Sequence, residues 1–299
     1  MKIFSGSSNQ DLAQKMAEKL GLTMGSVEIG TFANGEKRVW VRESVKGENV
    51  ILVQSFSRPT DEYIIEFLLL SDALERAGAR HINVVIPWLG YSLQDKIFRD
   101  GEPIAAKVIA NLVSNSYVKR AFLLDLHNSS TPGFFSIPIQ HLSAADLFVE
   151  YAKKEFDLNN YIVASPDFGG LKRARSFAEK LQLDLINIDK NRDLHSGVIK
   201  AMNLNGEVGG KSVLIFDDLI NSGSTIISAA EVLKQSGAKQ VHFLSTHGMF
   251  AKGYDSIVES KIDSVVVTNS IDQKMNHPKI KVIDASGIFA DALLIWAKT

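Results

Sequence analysis

Two adjacent carboxylates, Asp217 and Asp218, close the apolar run Val213–Phe216, and Asn221, Ser222, Gly223, Ser224 and Thr225 follow almost at once. Carboxylates accept hydrogen bonds from hydroxyl groups. Small residues at the opening of a helix let an anion approach the backbone N–H groups. Together they suit a phosphorylated sugar, with its hydroxyls on Asp217 and Asp218 and its phosphate further along the loop. An ordinary strand–turn–helix with a capping residue also favours Ser and Asp here. The four small residues Ser222–Thr225, so soon after the acid pair, are what favour a site.

Other chemistry-bearing residues also stand where apolar runs end. Asp125 and His127 follow Ala121–Leu124 and lead into the polar stretch Asn128–Thr131. Asp167 follows Tyr161–Ala164, and Gly169-Gly170 then opens a helical pattern carrying Lys172, Arg173 and Arg175. Those cations read equally well as a solvated helix face. Lys190 and Arg192 follow Leu185–Ile188 and begin a polar segment reaching to about Gly206, expected to be a surface loop. Gln94, Asp95, Lys96 and Arg99 lie in the irregular stretch after Ile82–Pro87. Phe32-Ala-Asn-Gly-Glu36 is a turn between two extended segments, because Asn-Gly is a strong turn signal; it carries Phe32, Asn34 and Glu36.

Elements that would position these residues can be read from periodicity. Strand-like runs are expected at Val50–Val53, Ile82–Pro87, Ala121–Leu124, Tyr161–Ala164, Ser212–Phe216, Val241–Ser245 and Ser264–Thr268, with helical patterns between them, the one after the acid pair starting at Thr225. Such alternation predicts parallel sheets with helices on both faces, where ligands gather beyond the carboxyl ends of the strands. The chain also repeats itself: Gly47–Ser55 parallels Gly210–Asp218, and Asp72–Tyr91 parallels Glu231–Phe250. This favours two copies of one domain, of which only the second carries the acid pair, Gln54 and Ser55 standing at the matching positions of the first.

The chain has 299 residues, enough for two domains, with 45% hydrophobic and 22% charged residues and a net charge of −1. No basic field draws it to nucleic acid or membrane. It has no cysteine, which excludes thiolate chemistry and Cys-ligated metal. The first residues lack the apolar core of a signal peptide, and runs such as Ile64–Leu70 are too short to span a bilayer. A cytoplasmic protein is expected.

Taken in order, Phe32–Glu36, Gly90–Lys96, Gly101–Lys107, Asp125–His127, Gly133–Phe135, Ser165–Arg175, Asp189–Arg192 and Asp217–Thr225 resemble the motifs of the ribose-phosphate pyrophosphokinase (phosphoribosyl-diphosphate synthetase) family over nearly the whole chain. The run after Gln94 resembles the shorter archaeal type. The resemblance implies two tandem type I phosphoribosyltransferase-like α/β domains, each a mainly parallel sheet flanked by helices, at residues 1–142 and 143–287, with helix 288–299 returning to the first. It implies transfer of the diphosphate of Mg-ATP to ribose 5-phosphate, with Mg²⁺ as cofactor, in a homo-oligomer. The ATP side would comprise Phe32, Asn34, Glu36, Gln94, Asp95, Lys96, Arg99 and His127. Asp167, Asp217, Asp218, Asn221, Ser222, Gly223, Ser224 and Thr225 would hold ribose 5-phosphate, with His127 and Asp167 on the metal and Lys190 and Arg192 over the transferred diphosphate. Asn191 and Ser224 are minor departures from the family, and two more fall on the ATP side. Leu93 replaces an arginine that contacts ATP phosphate, and Asn34 replaces an aspartate. They leave open an inactive regulatory relative on the same fold. A phosphoribosyltransferase is the other alternative, against which the Gln94 and Lys190–Arg192 segments argue.

Overall fold

The computed structural model describes residues 1–167, 169–192, 199–275 and 277–297, with the side chains of 189–192 and 199–203 outside that description. Two compact units are formed, one from Met1–Ser143, Asn269–Asp272 and Asp284–Thr299, the other from Ala144–Thr268 and Gln273–Ile283.

In chain order the first part comprises β1 (Lys2–Ser5), α1 (Gln10–Leu20), β2 (Val27–Thr31), β3 (Lys37–Val41), β4 (Asn49–Val53), α2 (Thr60–Arg76), β5 (His81–Ile86), α3 (Ala105–Ser114), β6 (Val118–Leu124) and β7 (Ile139–Leu142). A parallel five-stranded sheet runs β1-β4-β5-β6-β7, and β2 with β3 makes a separate antiparallel hairpin. Val50–Val53 is wholly buried, as expected of a parallel strand covered on both faces. Asn9 caps α1 by accepting from the Leu12 N–H at 3.3 Å, and Gly21 ends it with φ 64°.

The chain continues through α4 (Ala145–Glu155), β8 (Tyr161–Ser165), α5 (Leu171–Leu181), β9 (Leu185–Arg192), β10 (Ile199–Asn205), β11 (Ser212–Ile220), α6 (Ser224–Gln235), β12 (Val241–Gly248), α7 (Asp255–Glu259), β13 (Ser264–Thr268), β14 (Ile280–Ile283) and α8 (Ser286–Ala297). The second sheet runs β10-β9-β8-β11-β12-β13-β14 and is parallel except for β10 at its edge. The expected α/β architecture of two mainly parallel sheets flanked by helices is borne out. The internal repeat has a structural counterpart: β4-α2-β5 and β11-α6-β12 are the same strand–helix–strand unit. Both sheets also reverse order beside their first strand. β8 lies between β9 and β11, and β1 between β4 and a single parallel bridge at Met24.

Helices α4 and α8 cross over between the two parts of the chain. α4 follows the last strand of the first sheet and packs on α5, whereas α8 follows the last strand of the second sheet and packs on α1 and β7. Phe289 and Leu293 are buried there, and Trp296 meets Phe122 edge-on at 6.4 Å.

A buried imidazole sits low in the second sheet. His242 Nδ1 is 2.7 Å from Ser264 Oγ, Nε2 is 3.4 Å from the Tyr161 hydroxyl, and its ring lies 4.7 Å from that of Phe156. Burial pushes its pKa down to about 4; Asp263 opposes that and Lys234 adds to it. The unfolded chain therefore takes up this proton first. Stability is complete above pH 6.5 and is expected to fall by of order 3 kcal/mol between there and about pH 4. Urea midpoints across that range check it. His242→Gln should lack this share of the slope, and equal slopes in the two proteins would refute it.

Candidate functional site

Ligands of open parallel sheets bind where strand order reverses, and in the second unit that is the carboxyl end of β8 and β11. The ladder between them ends at Ala164 opposite Ile215. β8 then turns into Asp167, while β11 goes on. Here the structure corrects the expected strand end at Phe216. β11 continues to Ile220 because β12 keeps pairing with it, Asp217 opposite Ser245 and Ile220 opposite Gly248. Asp217 and Asp218 are thus rigid strand residues rather than the start of a loop. Asp167 is fixed too, its Oδ1 accepting the Gly170 N–H at 3.0 Å. A Cβ added to Gly170 would stand 3.7 Å from Oδ1 of both Asp167 and Asp217, so the two carboxylates converge on a glycine.

Arg173, read from the sequence as equally at home in solvent, is the residue that holds the acid pair. Its Nη1 donates to Asp217 Oδ1 and, at 2.8 Å, to Asp218 Oδ1. Asp218 N–H also donates to Asp217 Oδ1 at 2.9 Å. Lys172 and Arg175 on the same helix are exposed, as the solvated reading expects. The signal for Arg173 was its place three residues after Gly170, on the turn of α5 that meets β8 and β11. Burial, then the charge of Asp218, pushes Asp217 up to about 7, against the pull of Arg173. One proton is therefore held loosely by the pair near neutrality.

The small-residue loop turns directly into α6. Gly223 has φ 85°, a conformation costly for residues with a side chain, and a Cβ there would lie 2.8 Å from Ile257 Cδ1. The helix begins at Ser224, one residue before the expected Thr225. No side chain caps it, so its first N–H groups are available to an anion. Ser222 Oγ and Ser224 Oγ are 2.9 Å apart, and the Asn221 carbonyl accepts the Ala251 N–H at 2.8 Å. Thr225 is half-buried in the first turn. The acid pair, Asp167 and the loop Asn221–Thr225 are thus assembled within one unit.

The residues expected on a nucleotide lie in the other. Phe32, Asn34 and Glu36 form the turn of the β2–β3 hairpin, closed by the Phe32 N–H on the Glu36 carbonyl at 2.8 Å, with Asn34 Oδ1 accepting the Glu36 N–H at 3.2 Å. Phe32 is 52% exposed. Gln94, Lys96 and Arg99 are exposed on the loop before α3, whose end is tied by Glu102 accepting the Arg99 N–H at 3.1 Å. Asp95 accepts a hydrogen bond from Asn128 Nδ2, bringing this loop to the Asp125–His127 turn. His127 is exposed, and the turn holds Asp125 at φ 34°.

Lys190 and Arg192 are not on a loop, as expected, but on β9. β9 runs to Arg192 because β10 pairs with it antiparallel, Lys190 opposite Met202 and Arg192 opposite Ile199. Their side chains lie outside the described residues. Among the described residues no group of three or more His, Cys, Asp or Glu could hold a metal ion. No described helix is long and apolar enough to cross a membrane.

Residues 1–116 match the family pattern described as the N-terminal domain of ribose phosphate pyrophosphokinase, and residues 190–295 the phosphoribosyl synthetase-associated domain. A ribose-phosphate pyrophosphokinase of Fusobacterium nucleatum is 41% identical over 297 residues, 98% of this chain and 94% of its own. The one from Thermotoga maritima is 39% identical over 297 residues, with the same coverage of 98% and 94%. The crystal structure of phosphoribosylpyrophosphate synthetase from Mycobacterium smegmatis matches at a TM-score of 0.92 and 29% identity, covering 100% of this chain and 99% of that one.

Proposed function

The chain belongs to the ribose-phosphate pyrophosphokinase family, and from that premise we propose that it transfers the β,γ-diphosphate of Mg-ATP to O1 of ribose 5-phosphate. An O1–Pβ bond forms, the bond from Pβ to the α,β-bridging oxygen breaks, AMP leaves, and the O1 proton passes to solvent. On the same reading each unit is a type I phosphoribosyltransferase-like domain.

The observation that carries the acceptor assignment is the acid pair on β11 beside the uncapped start of α6. The 5-phosphate takes the N–H groups and hydroxyls of Ser222–Thr225, with Asn221 at the loop's entry. Asp217 and Asp218 accept from the ribose hydroxyls, and Asp167 stands next to them across Gly170. On the donor side Phe32 stacks on adenine, Asn34 and Glu36 read its edge, and Gln94, Asp95, Lys96 and Arg99 meet the phosphates. His127 in one unit and Asp167 in the other would each be a candidate contact for Mg²⁺, which would supply neutralisation of phosphate charge. Lys190 and Arg192 neutralise the charge developing on the transferred group, since phosphoryl-type transfer is catalysed mainly by positioning and charge. The loop after Gln94 retains its archaeal reading on its sequence alone, although the relatives named above are bacterial. A cytoplasmic homo-oligomer fits the same reading.

Incubation with Mg-ATP and ribose 5-phosphate tests the function. Equimolar AMP and phosphoribosyl diphosphate, dependent on both substrates, are expected. No AMP above background from folded protein at high concentration would overturn it and favour an inactive relative.

A further inference from the structure

The first unit carries its own version of the sugar site, and it is closed. Ser7 follows β1 as Asp167 follows β8, and Gln54-Ser55 follows β4 at the place where the second unit has Asp217-Asp218. Gln54 and Ser55 are fully buried. A Cβ added to Gly6 would lie 1.9 Å from Gln54 Oε1 and 2.9 Å from Glu66 Oε1, leaving no room for a sugar.

What fills the place is a carboxylate from α2. Glu66 is 0% exposed, and its Oε1 accepts from the Ser7 N–H at 2.6 Å, Ser7 Oγ at 2.9 Å and Gln54 Nε2 at 3.0 Å. Its Oε2 accepts from Ser7 Oγ at 2.8 Å and faces Lys37 Nζ at 3.5 Å. Lys37 Nζ also pairs with Glu62 Oε2 at 3.1 Å, and its side chain is mostly buried. A buried carboxylate needs several donors and a counter-charge, and here the counter-charge arrives from outside the sheet. Lys37 opens β3, pairs with Thr31 on the last rung of the hairpin, and is the residue next to Glu36. The hairpin has no ladder to the five-stranded sheet. Its base, far from the turn, is tied to β1 by the Gly25 N–H on the Ile3 carbonyl at 2.7 Å and by Lys2 on Glu43; beyond that it rests on apolar packing of Val27, Ile29, Val39 and Val41 against the core and, at the turn end, on Lys37.

We infer that Lys37, anchored on the buried Glu66 and on Glu62, is the positioning residue that sets where the turn Phe32–Glu36 stands on the first unit, and so tunes nucleotide affinity. The duplicated site has lost its ligand and become the footing of a substrate-reading hairpin. This inference rests on the assignment of that turn to ATP.

Lys37→Met, Lys37→Arg and Phe32→Ala are compared with wild type in initial rates with each substrate varied. Lys37→Met is expected to raise the ATP KM about tenfold and to leave kcat and the ribose 5-phosphate KM within about twofold; Lys37→Arg should recover most of the ATP KM. A merely structural loss would instead lower kcat and be indifferent to the conservative variant. An ATP KM unchanged in folded Lys37→Met, while Phe32→Ala raises it, overturns the positioning role and leaves the turn assignment standing. If Phe32→Ala also leaves the ATP KM at the wild-type value, the assignment fails and this inference with it.

Discussion

The double variant Lys190→Ala, Arg192→Ala is expected to lose about 10³-fold or more in kcat, the range seen when a cation over a transferring phosphoryl group is removed. Its ATP and ribose 5-phosphate KM values should change far less. The transferred diphosphate gains little covalent help from a protein; negative charge on its oxygens must be balanced at the moment of transfer. β9 reaches Lys190 and Arg192 while still paired to β10. The backbone at both positions is thus already ordered by the ladder. Single substitutions should each cost less than the pair. A folded double variant with kcat within about fivefold of wild type would remove these residues from the proposed mechanism.

Arg173→Met is the second large effect. Arg173 Nη1 is shared between Asp217 and Asp218, on two strand residues that cannot move apart. Truncating one partner of a partly buried charge cluster leaves the others uncompensated, at about 3 kcal/mol or more, part of which Asp217 escapes by keeping its proton. Asp217 is already raised to about 7 by burial and by Asp218, with Arg173 opposing. Without Arg173 it rises further. The ionised form binds ribose hydroxyls best, so kcat/KM for ribose 5-phosphate should climb with pH through about 7 in the wild type, and its acid limb should move upward by about one pH unit or more in Arg173→Met. The ribose 5-phosphate KM at pH 7 should rise at least about tenfold. Arg173→Lys keeps the charge and should place the limb between the two. An acid limb in the same position for all three proteins would show that Arg173 does not set the ionisation of the pair.

What was legible from sequence follows from how local its cause is. Val50–Val53 and Val213–Phe216 are apolar on both faces and fold as buried parallel strands. Asn34-Gly35 forms its turn, with Gly35 at φ 90°. The acid pair and small-residue loop stood out because strand, loop and helix start are consecutive. The errors come from strand pairing. β11 runs past Phe216 because β12 pairs with it, Asp217 with Ser245, and β9 runs past Ile188 because β10 folds back on it, Arg192 with Ile199; a charged run by itself announces neither partner. The apolar run around Glu66 misleads further: Ile65 is 50% exposed while Glu66 is fully buried. Hydropathy alone would turn that helix the other way. The reason lies in Ser7, Gln54 and Lys37, none of them near Glu66 in sequence.

The crossing of α4 and α8 fixes an order of completion. Every strand and helix of the second unit lies within residues 144–283, whereas the first still lacks α8, and with it the cover over α1 and β7, until residues 284–297 exist. On the ribosome the half of the molecule made first is therefore the half finished last. A cut at residue 143 does not yield two domains: the leading fragment keeps its sheet but exposes Phe122, Leu142 and the α1 face that α8 covers. The trailing fragment carries a terminal helix with nothing to pack on. Chain order and folding order are uncoupled by a twelve-residue segment.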